Sequence, residues 1–520
     1  MLLGGFVTNK NSEKKVIIAA SLGTVFEWYD FYLYGTLAVF FGTLFFPTGN
    51  ETASFLASLA TFGAGFAVRP FGAIVFGRIG DIVGRKYTFL ITIIVMGLST
   101  ALVGLLPTYE QIGIFAPILL TLLRLTQGLA LGGEYGGAAV YVAEHSPNER
   151  RGLNTSWIQT TATGGFLLSL IVILCCRVML TEEDFKFWGW RIPFLISIVL
   201  LIISVYIRLK LSESPIFLKM KKMGKTSKSP LKESFTKPKN LKLILLALFG
   251  ATAGQGVIWY TGQFYALYFL QNTLKIDFQN SYIMIAIALV IATPFFILFG
   301  KLSDRIGRKK VILTGFLLSA LLYIPIFKGI AYYGNPALIR AQNEAPIVIT
   351  TNQCKSLCKE IKEYFSKKGY NYQLNVELEK KDFLTVFIGD YQVNSLDSRT
   401  LDKEVAIAGY PLVADNDAIN YVMVIILLTV LVLFVTMVYG PIAAFLVELF
   451  PTRIRYTSMS FPYHIGNGWF GGFLPLIATA LVLYTGNIYA GLYYPIAIAI
   501  MSLIIGVIFI KETKDNKIDS

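Results

Sequence analysis

The sequence predicts an all-α integral membrane protein: twelve transmembrane helices in two pseudo-symmetric six-helix halves, with a small α+β extracytoplasmic insertion in the second half. Three observations carry this. The chain is too apolar for a soluble globular protein of its length, with 55% of its 520 residues hydrophobic and 15% charged, and a mean hydropathy of +0.60. About twelve runs are long enough to cross a bilayer as helices, and no alternating strand pattern suggests a barrel. Short charged motifs recur between the halves.

The expected spans are 16–46, 54–77, 88–107, 114–143, 153–176, 190–208, 243–270, 280–300, 311–331, 419–447, 457–484 and 488–510. The first follows a polar leader, "TNKNSEKK", and no small-residue cleavage site stands behind it, so it reads as an anchor. The expected organisation is a first half over 1–208, a basic cytoplasmic linker over 209–242, three helices over 243–331, the insertion over 332–418, three helices over 419–510 and a cytoplasmic tail over 511–520.

A formal charge of +14 raises the question of nucleic acid, and the positions of the cations answer it. Arg85 and Lys86, Arg150 and Arg151, Arg305, Arg308, Lys309 and Lys310, and Arg453 and Arg455 fall in one set of loops. The central linker adds ten lysines against Glu213 and Glu233, whereas the loops at 47–53, 107–113 and 271–279 carry only Lys275. This is a positive-inside bias, which places both chain ends in the cytoplasm and excludes a nucleic-acid partner.

"GRIGDIVGRK" begins at Gly77 and "GKLSDRIGRK" at Gly300, an offset of 223 residues, while "EHSPNERR" from Glu144 and "ELFPTRIR" from Glu448 are 304 apart. The excess of 81 matches the polar stretch 332–418, which holds no spanning run. Within it, "PIVIT", "LNVEL" and "FLTVFIG" alternate like short strands, and "NQCKSLCKEIKEYFSKKG" reads as an amphipathic helix stopped at Gly369, so a β-α-β-β unit is expected. Cys354 and Cys358 lie four apart in that helix; an oxidising compartment allows a disulfide between them, although the Cβ directions within one helix suit it badly, and Cys175 and Cys176 are adjacent in a span. No metal site is indicated.

Two six-helix halves with this repeated loop motif resemble the major facilitator superfamily of secondary transporters. "FEWYDFYLYG", "VRPFGAIVFGRIGDIVGRK", "RLTQG", "GGEYGG", "WGWRIPF" and "SESPIF" narrow the resemblance to the metabolite:H⁺ symporter family, whose members import small organic acids, betaines and amino acids with protons. It covers the chain except its ends and the insertion, and it is mute on substrate. In superfamily terms the repeated residues form a conformational gate: Gly77, Asp81, Gly84, Arg85, Lys86, Glu144 and Arg151 in the first half, and Asp304, Gly307, Arg308, Glu448 and Arg455 in the second. Glycine permits close helix approach, and Asp81 can accept from basic groups and cap a neighbouring helix.

Charges inside spans are costly unless they face a cavity, a partner or a proton path. Glu27 and Asp30 share a face of the first helix, and at least one of Glu27, Asp30 and Glu134 is expected to carry the proton. Glu134 lies ten residues after Arg124, roughly 15 Å along a helix and too far to pair with it. The resemblance assigns Arg124 to coupling, and His464 is a further titratable candidate. Arg69 is the expected holder of a substrate carboxylate, because its planar fork binds one bidentately. Tyr135, Gln159, Gln255, Trp259, Tyr260, Gln263, Asn467 and Trp469 complete the expected cavity, and aromatic faces among them suit a quaternary ammonium.

The sequence thus predicts a monomeric proton-coupled symporter of the bacterial inner membrane with no cofactor, driven by the proton gradient. An exporter or antiporter of the same fold, and a receptor-like sensor using the insertion, are the alternatives. No phosphate-binding loop or catalytic constellation indicates an enzyme.

Overall fold

The computed structural model describes residues 10–47, 49, 51–209, 213, 215–224, 227–377 and 383–518. Eleven helices among them are long and apolar enough to cross a membrane: Ala53–Ile82, Lys86–Leu105, Phe115–Glu144, Asn148–Met179, Arg191–Leu209, Pro238–Thr273, Phe278–Ile306, Arg308–Gly334, Tyr421–Leu449, Thr452–Thr485 and Ala490–Phe509. The helix Lys10–Thr36, continued by Ala38–Phe45, precedes them and is the first span below, so that Ala490–Phe509 is the twelfth. Helices satisfy their own backbone polar groups, which a bilayer demands. Several outrun the expected apolar stretch. The seventh starts at Pro238 rather than 243, because proline is preorganised for a first helical turn and the polar flank continues the helix.

Two spans bend at matching places. The fourth breaks at Gly133 and Glu134 between Phe115–Gly132 and Tyr135–Glu144, and the tenth at Gly440 and Pro441 between Tyr421–Tyr439 and Ile442–Leu449. The seventh and eleventh spans open into π-helical turns, at Leu248–Thr252, Thr261–Tyr265 and Phe269–Thr273 in one and at Gly466–Gly472 in the other. The second and fourth spans meet backbone to backbone, and a Cβ on Gly128 would lie 1.7 Å from the Gly65 carbonyl oxygen. Only glycine permits that approach, which holds Arg69 and Arg124 beside each other in the core.

Between the ninth and tenth spans the chain builds a four-stranded sheet of order β2-β1-β3-β4, from β1 (Ile347–Thr351), β2 (Tyr372–Val376), β3 (Leu384–Ile388) and β4 (Tyr391–Gln392). β1 pairs parallel with β2 and antiparallel with β3, and the helix Ser356–Lys367 makes the crossover. Ile347, Ile349, Val386 and Ile388 pack with Ile361 and Phe365 of that helix in the buried core. The second strand begins earlier than "LNVEL" suggests, because Tyr372 is buried opposite Ile347. The two cysteines decide a pairing that the sequence left open. They form a disulfide, since the helix starts only at Ser356 and Cys354 lies outside it, free of the helical geometry that would keep the thiols apart.

Candidate functional site

The largest charged cluster inside the first half joins three spans. Arg208 Nη2 lies 2.5 Å from Glu27 Oε1 and 2.5 Å from Glu134 Oε1, and all three residues are buried. Glu27 comes from the middle of the first helix, Glu134 from the bend in the fourth, and Arg208 from the last turn of the sixth. The cluster therefore leans toward the end of the bundle that carries the basic loops. Arg208 was not among the expected site residues, because an arginine closing an apolar run reads as a loop-flanking charge. Its signal was periodic: Ser197, Ser204 and Arg208 recur at helical spacing, and all three are buried.

Asp30 does not join them. Its side chain is buried, Oδ1 has no hydrogen-bond partner, and no cation lies within ion-pair distance among the described residues. Arg69 is fully buried, none of its three guanidinium nitrogens makes a hydrogen bond, and it stands over Trp28, Phe31 and Phe66 at 5.4, 5.5 and 5.1 Å from their ring centroids. Arg124 covers the same Phe31 ring at 4.2 Å. It donates to Gln127 at 2.6 Å and to the Phe31 carbonyl at 3.3 Å, and to no carboxylate. Two cations thus meet around one ring, held by aromatic faces.

Around Arg69 the halves contribute a box of rings. Trp28, Tyr32 and Trp259 stack in series with centroids 5.1 Å apart, and Tyr260 meets Phe66 edge-on at 5.2 Å. Tyr135 stacks on Tyr463 at 3.5 Å across the halves, Gln159 donates to Tyr135 at 2.7 Å, and the Tyr439 and Tyr463 hydroxyls are 2.6 Å apart. Trp28, Tyr32, Tyr439 and Tyr463 were missed, since aromatics in spans are ordinarily packing. The expected polar residues divide. Gln263 reaches Thr163 at 3.4 Å, whereas Gln255 and Asn467 bond each other reciprocally at 3.0 and 2.8 Å. His464 is fully buried beside Tyr463 with neither ring nitrogen hydrogen-bonded. Trp469 is 44% exposed, and its indole N–H donates across the halves to the Ala67 carbonyl at 3.0 Å.

At the basic end the repeated motifs meet across the halves with two-fold logic. Asp81 accepts from the Thr457 N–H and hydroxyl at 3.1 and 2.7 Å, and Asp304 accepts from the Gly152 and Leu153 N–H groups at 2.8 and 2.9 Å. Each aspartate caps the first turn of a helix in the other half. Arg151 pairs with Glu448 at 2.8 Å and Arg455 with Glu144 at 3.4 Å. Arg308 joins Asp304 and Glu448 at 2.6 and 3.1 Å. Gly77 packs against Thr457, while Gly84 and Gly307, at φ 138° and 107°, turn the chain where other residues are strained. The Arg85 side chain lies outside the described residues. Two acidic residues, one after each half, complete the pattern unforeseen: Glu213 accepts from the Lys86 N–H at 3.2 Å, and Glu512 from the Arg308 and Lys309 N–H groups at 2.8 and 3.1 Å.

Two helical halves joined at one end by mirrored ion pairs, around a buried charged and aromatic centre, define a membrane transporter of the major facilitator superfamily. The chain belongs to the sugar (and other) transporter family, whose model matches residues 15–351 and 404–520. The unmatched gap falls within the insertion. The chain is 40% identical over 338 residues to the inner membrane metabolite transport protein YhjE of Escherichia coli (strain K12), covering 64% of this chain and 76% of that one. It is 30% identical over 511 residues to the glycine betaine/proline/ectoine/pipecolic acid transporter OusA of Dickeya dadantii (strain 3937), covering 97% and 84%. Among solved structures, the proton:xylose symporter XylE superposes with a TM-score of 0.67 at 14% identity, covering 98% of each chain, a likeness of fold.

Proposed function

We propose that the protein is a proton-coupled symporter that carries a small organic acid or zwitterionic metabolite into the cell by alternating access. It works as a monomer in the bacterial inner membrane, with the basic end and both chain ends cytoplasmic and no cofactor. The observation that carries the reading is Arg208 between Glu27 and Glu134. One guanidinium facing two buried carboxylates leaves an uncompensated negative charge unless one carboxyl holds a proton, so charge balance makes the cluster a proton site. A gradient drives substrate only through a group whose protonation differs between the loaded and return states.

Arg69 supports the substrate class. Its unbonded fork suits a carboxylate, and the rings of Trp28, Tyr32, Trp259 and Tyr260 suit an onium group on the same small molecule. Proline and glycine betaine, for which the relative OusA is named, have that chemistry. The test is uptake into proteoliposomes from a panel of labelled dicarboxylates, aromatic acids, proline and betaines, with and without an imposed proton gradient. Gradient-dependent accumulation of one panel member is expected, and uptake of a member indifferent to the gradient would sink the coupling.

A further inference from the structure

A groove of about 200 Å³ opens at the end of the bundle opposite the ion-paired loops. Its walls come from three parts of the chain: Thr43 and Phe55 of the first half, Tyr268, Asn272 and Lys275 of the second, and Ser366 and Lys367 of the insertion. Asn272 Nδ2 and Ser366 Oγ, from different elements, are shielded from solvent in this groove with no hydrogen-bond partner. Such groups are costly to leave unsatisfied, and both can donate. Lys275 is the one non-glycine residue at positive φ among the described residues, at 55°. That conformation brings its ammonium to the Lys367 carbonyl at 2.8 Å and its own carbonyl to the Ala414 N–H at 3.1 Å, so it fastens the insertion to the groove's edge. An unusual backbone angle kept at a cleft marks a place the fold maintains deliberately.

The lining pairs donors and cations with aromatic faces, the same combination found at Arg69. We infer that this groove is an entry subsite for a small carboxylate, in which Asn272, Ser366 and the lysine ammonium groups receive the anion and Phe55 and Tyr268 its apolar or onium part. The insertion thereby acts as one wall of the substrate's path. Tyr268 also donates to the Gly35 carbonyl at 2.7 Å, spanning from the groove to the first helix. The subsite takes its substrate class from the proposed function but can be tested without transport.

The full chain, with Cys175→Ser, Cys176→Ser and the insertion disulfide retained, carries Thr43→Cys as a reporter on the groove's rim. Its reaction rates with anionic sulfonatoethyl and cationic trimethylammonioethyl methanethiosulfonate are compared. The anionic reagent is expected to be favoured about three- to tenfold at low ionic strength, and Lys367→Glu to abolish that preference. Lys403→Glu, on a helix that does not line the groove, should leave it intact. Glycine betaine, used as a probe, should protect the reporter from both reagents. A charge preference of one in the parent, or one unaltered by Lys367→Glu, overturns the subsite whether or not the protein transports anything. Where uptake is measurable, Lys367→Glu should raise the apparent KM about three- to tenfold at constant maximal rate, with Lys367→Arg restoring it. An unchanged KM also overturns it.

Discussion

Glu448 accepts Arg151 at 2.8 Å from the other half and Arg308 at 3.1 Å from its own, so a single carboxylate ties two arginines at the basic end. Its mirror, Glu144, pairs with Arg455 at 3.4 Å. Reversing Arg151 and Glu448 together should therefore fail to restore the pair, because a new arginine at 448 would face Arg308. Each single reversal should cost about 3–5 kcal/mol, as for any buried pair left with one partner, and the double variant should remain at least as unstable as the milder single one. Thermal unfolding of the purified proteins reads this, and recovery of the parent's stability in the double variant would contradict the shared-carboxylate geometry.

The Glu27–Arg208–Glu134 cluster separates two kinds of loss. Glu27→Gln or Glu134→Gln leaves one carboxylate for one guanidinium, and such a variant should exchange substrate in counterflow while failing to accumulate it against a gradient. Arg208→Gln leaves two buried carboxylates with no cation, and should lose folded protein or both activities. Asp30→Asn should behave like the parent if Asp30 stands apart from coupling as it stands apart in space. Counterflow beside proton-driven accumulation, normalised to inserted protein, decides the matter; normal accumulation in both glutamate variants would remove the cluster from coupling and leave His464 to be tried.

Arg69→Lys keeps the charge and removes the fork. Uptake of a carboxylated substrate should fall at least tenfold in apparent affinity, about 1.4 kcal/mol or more, since a lost bidentate contact is worth that much. An unchanged KM takes Arg69 out of the binding site.

Removing 335–415 and bridging with a short Gly/Ser link should leave transport measurable with a raised KM. The Asn420 N–H donates to the Tyr333 carbonyl at 2.9 Å, so the two chain ends are already adjacent. Complete loss of transport in a well-inserted deletion would show that the insertion is required for the cycle itself.

Within the insertion, Asp402 accepts from Lys368 at 2.6 Å and from the Tyr364 hydroxyl at 2.7 Å. The Lys368 bond, helped by Tyr364, holds its carboxyl below the ordinary aspartate value. A depressed native pKa adds stability above the unfolded value of about 4 and loses it as pH falls further. Asp402→Asn should therefore speed hydrogen exchange in 356–367 and 398–407 at pH 7, by no more than the ~1 kcal/mol of a solvent-screened pair, and the difference should shrink steadily as pH falls below about 4. A gap that does not shrink over that fall would assign the effect to packing.

The spans and the basic-end contacts were legible because each rests on a repeated pattern: Asp81 and Asp304, or Arg151 and Arg455, announce their equivalence by spacing alone. The centre was less legible. Which residues line it depends on how twelve helices rotate about their axes, and long apolar runs constrain rotation weakly. Charge and motif singled out Arg69 and Tyr135, but no pattern in the sequence showed that Gln255 and Asn467 would bind each other. Arg208 was hidden by its position at a helix end, where topology alone suffices to explain an arginine. The disulfide turned on a helix start four residues later than the sequence suggested.

Four bonds among the described residues tie the insertion to one part of the bundle. Tyr372 donates to the Gly486 carbonyl from its N–H and to the Leu483 carbonyl from its hydroxyl, Asn371 accepts from the Ile488 N–H, and Asn416 accepts from Asn280. All of these belong to the second half, while Thr43 and Phe55 of the first half face the insertion across the groove. If the halves rock, the sheet travels as cargo on one of them and its outer face moves like the pointer of a gauge. A fluorophore at exposed Tyr391, read against one at exposed Glu110 in the loop after the third span, would convert each turnover of the carrier into a distance signal without touching a single spanning helix.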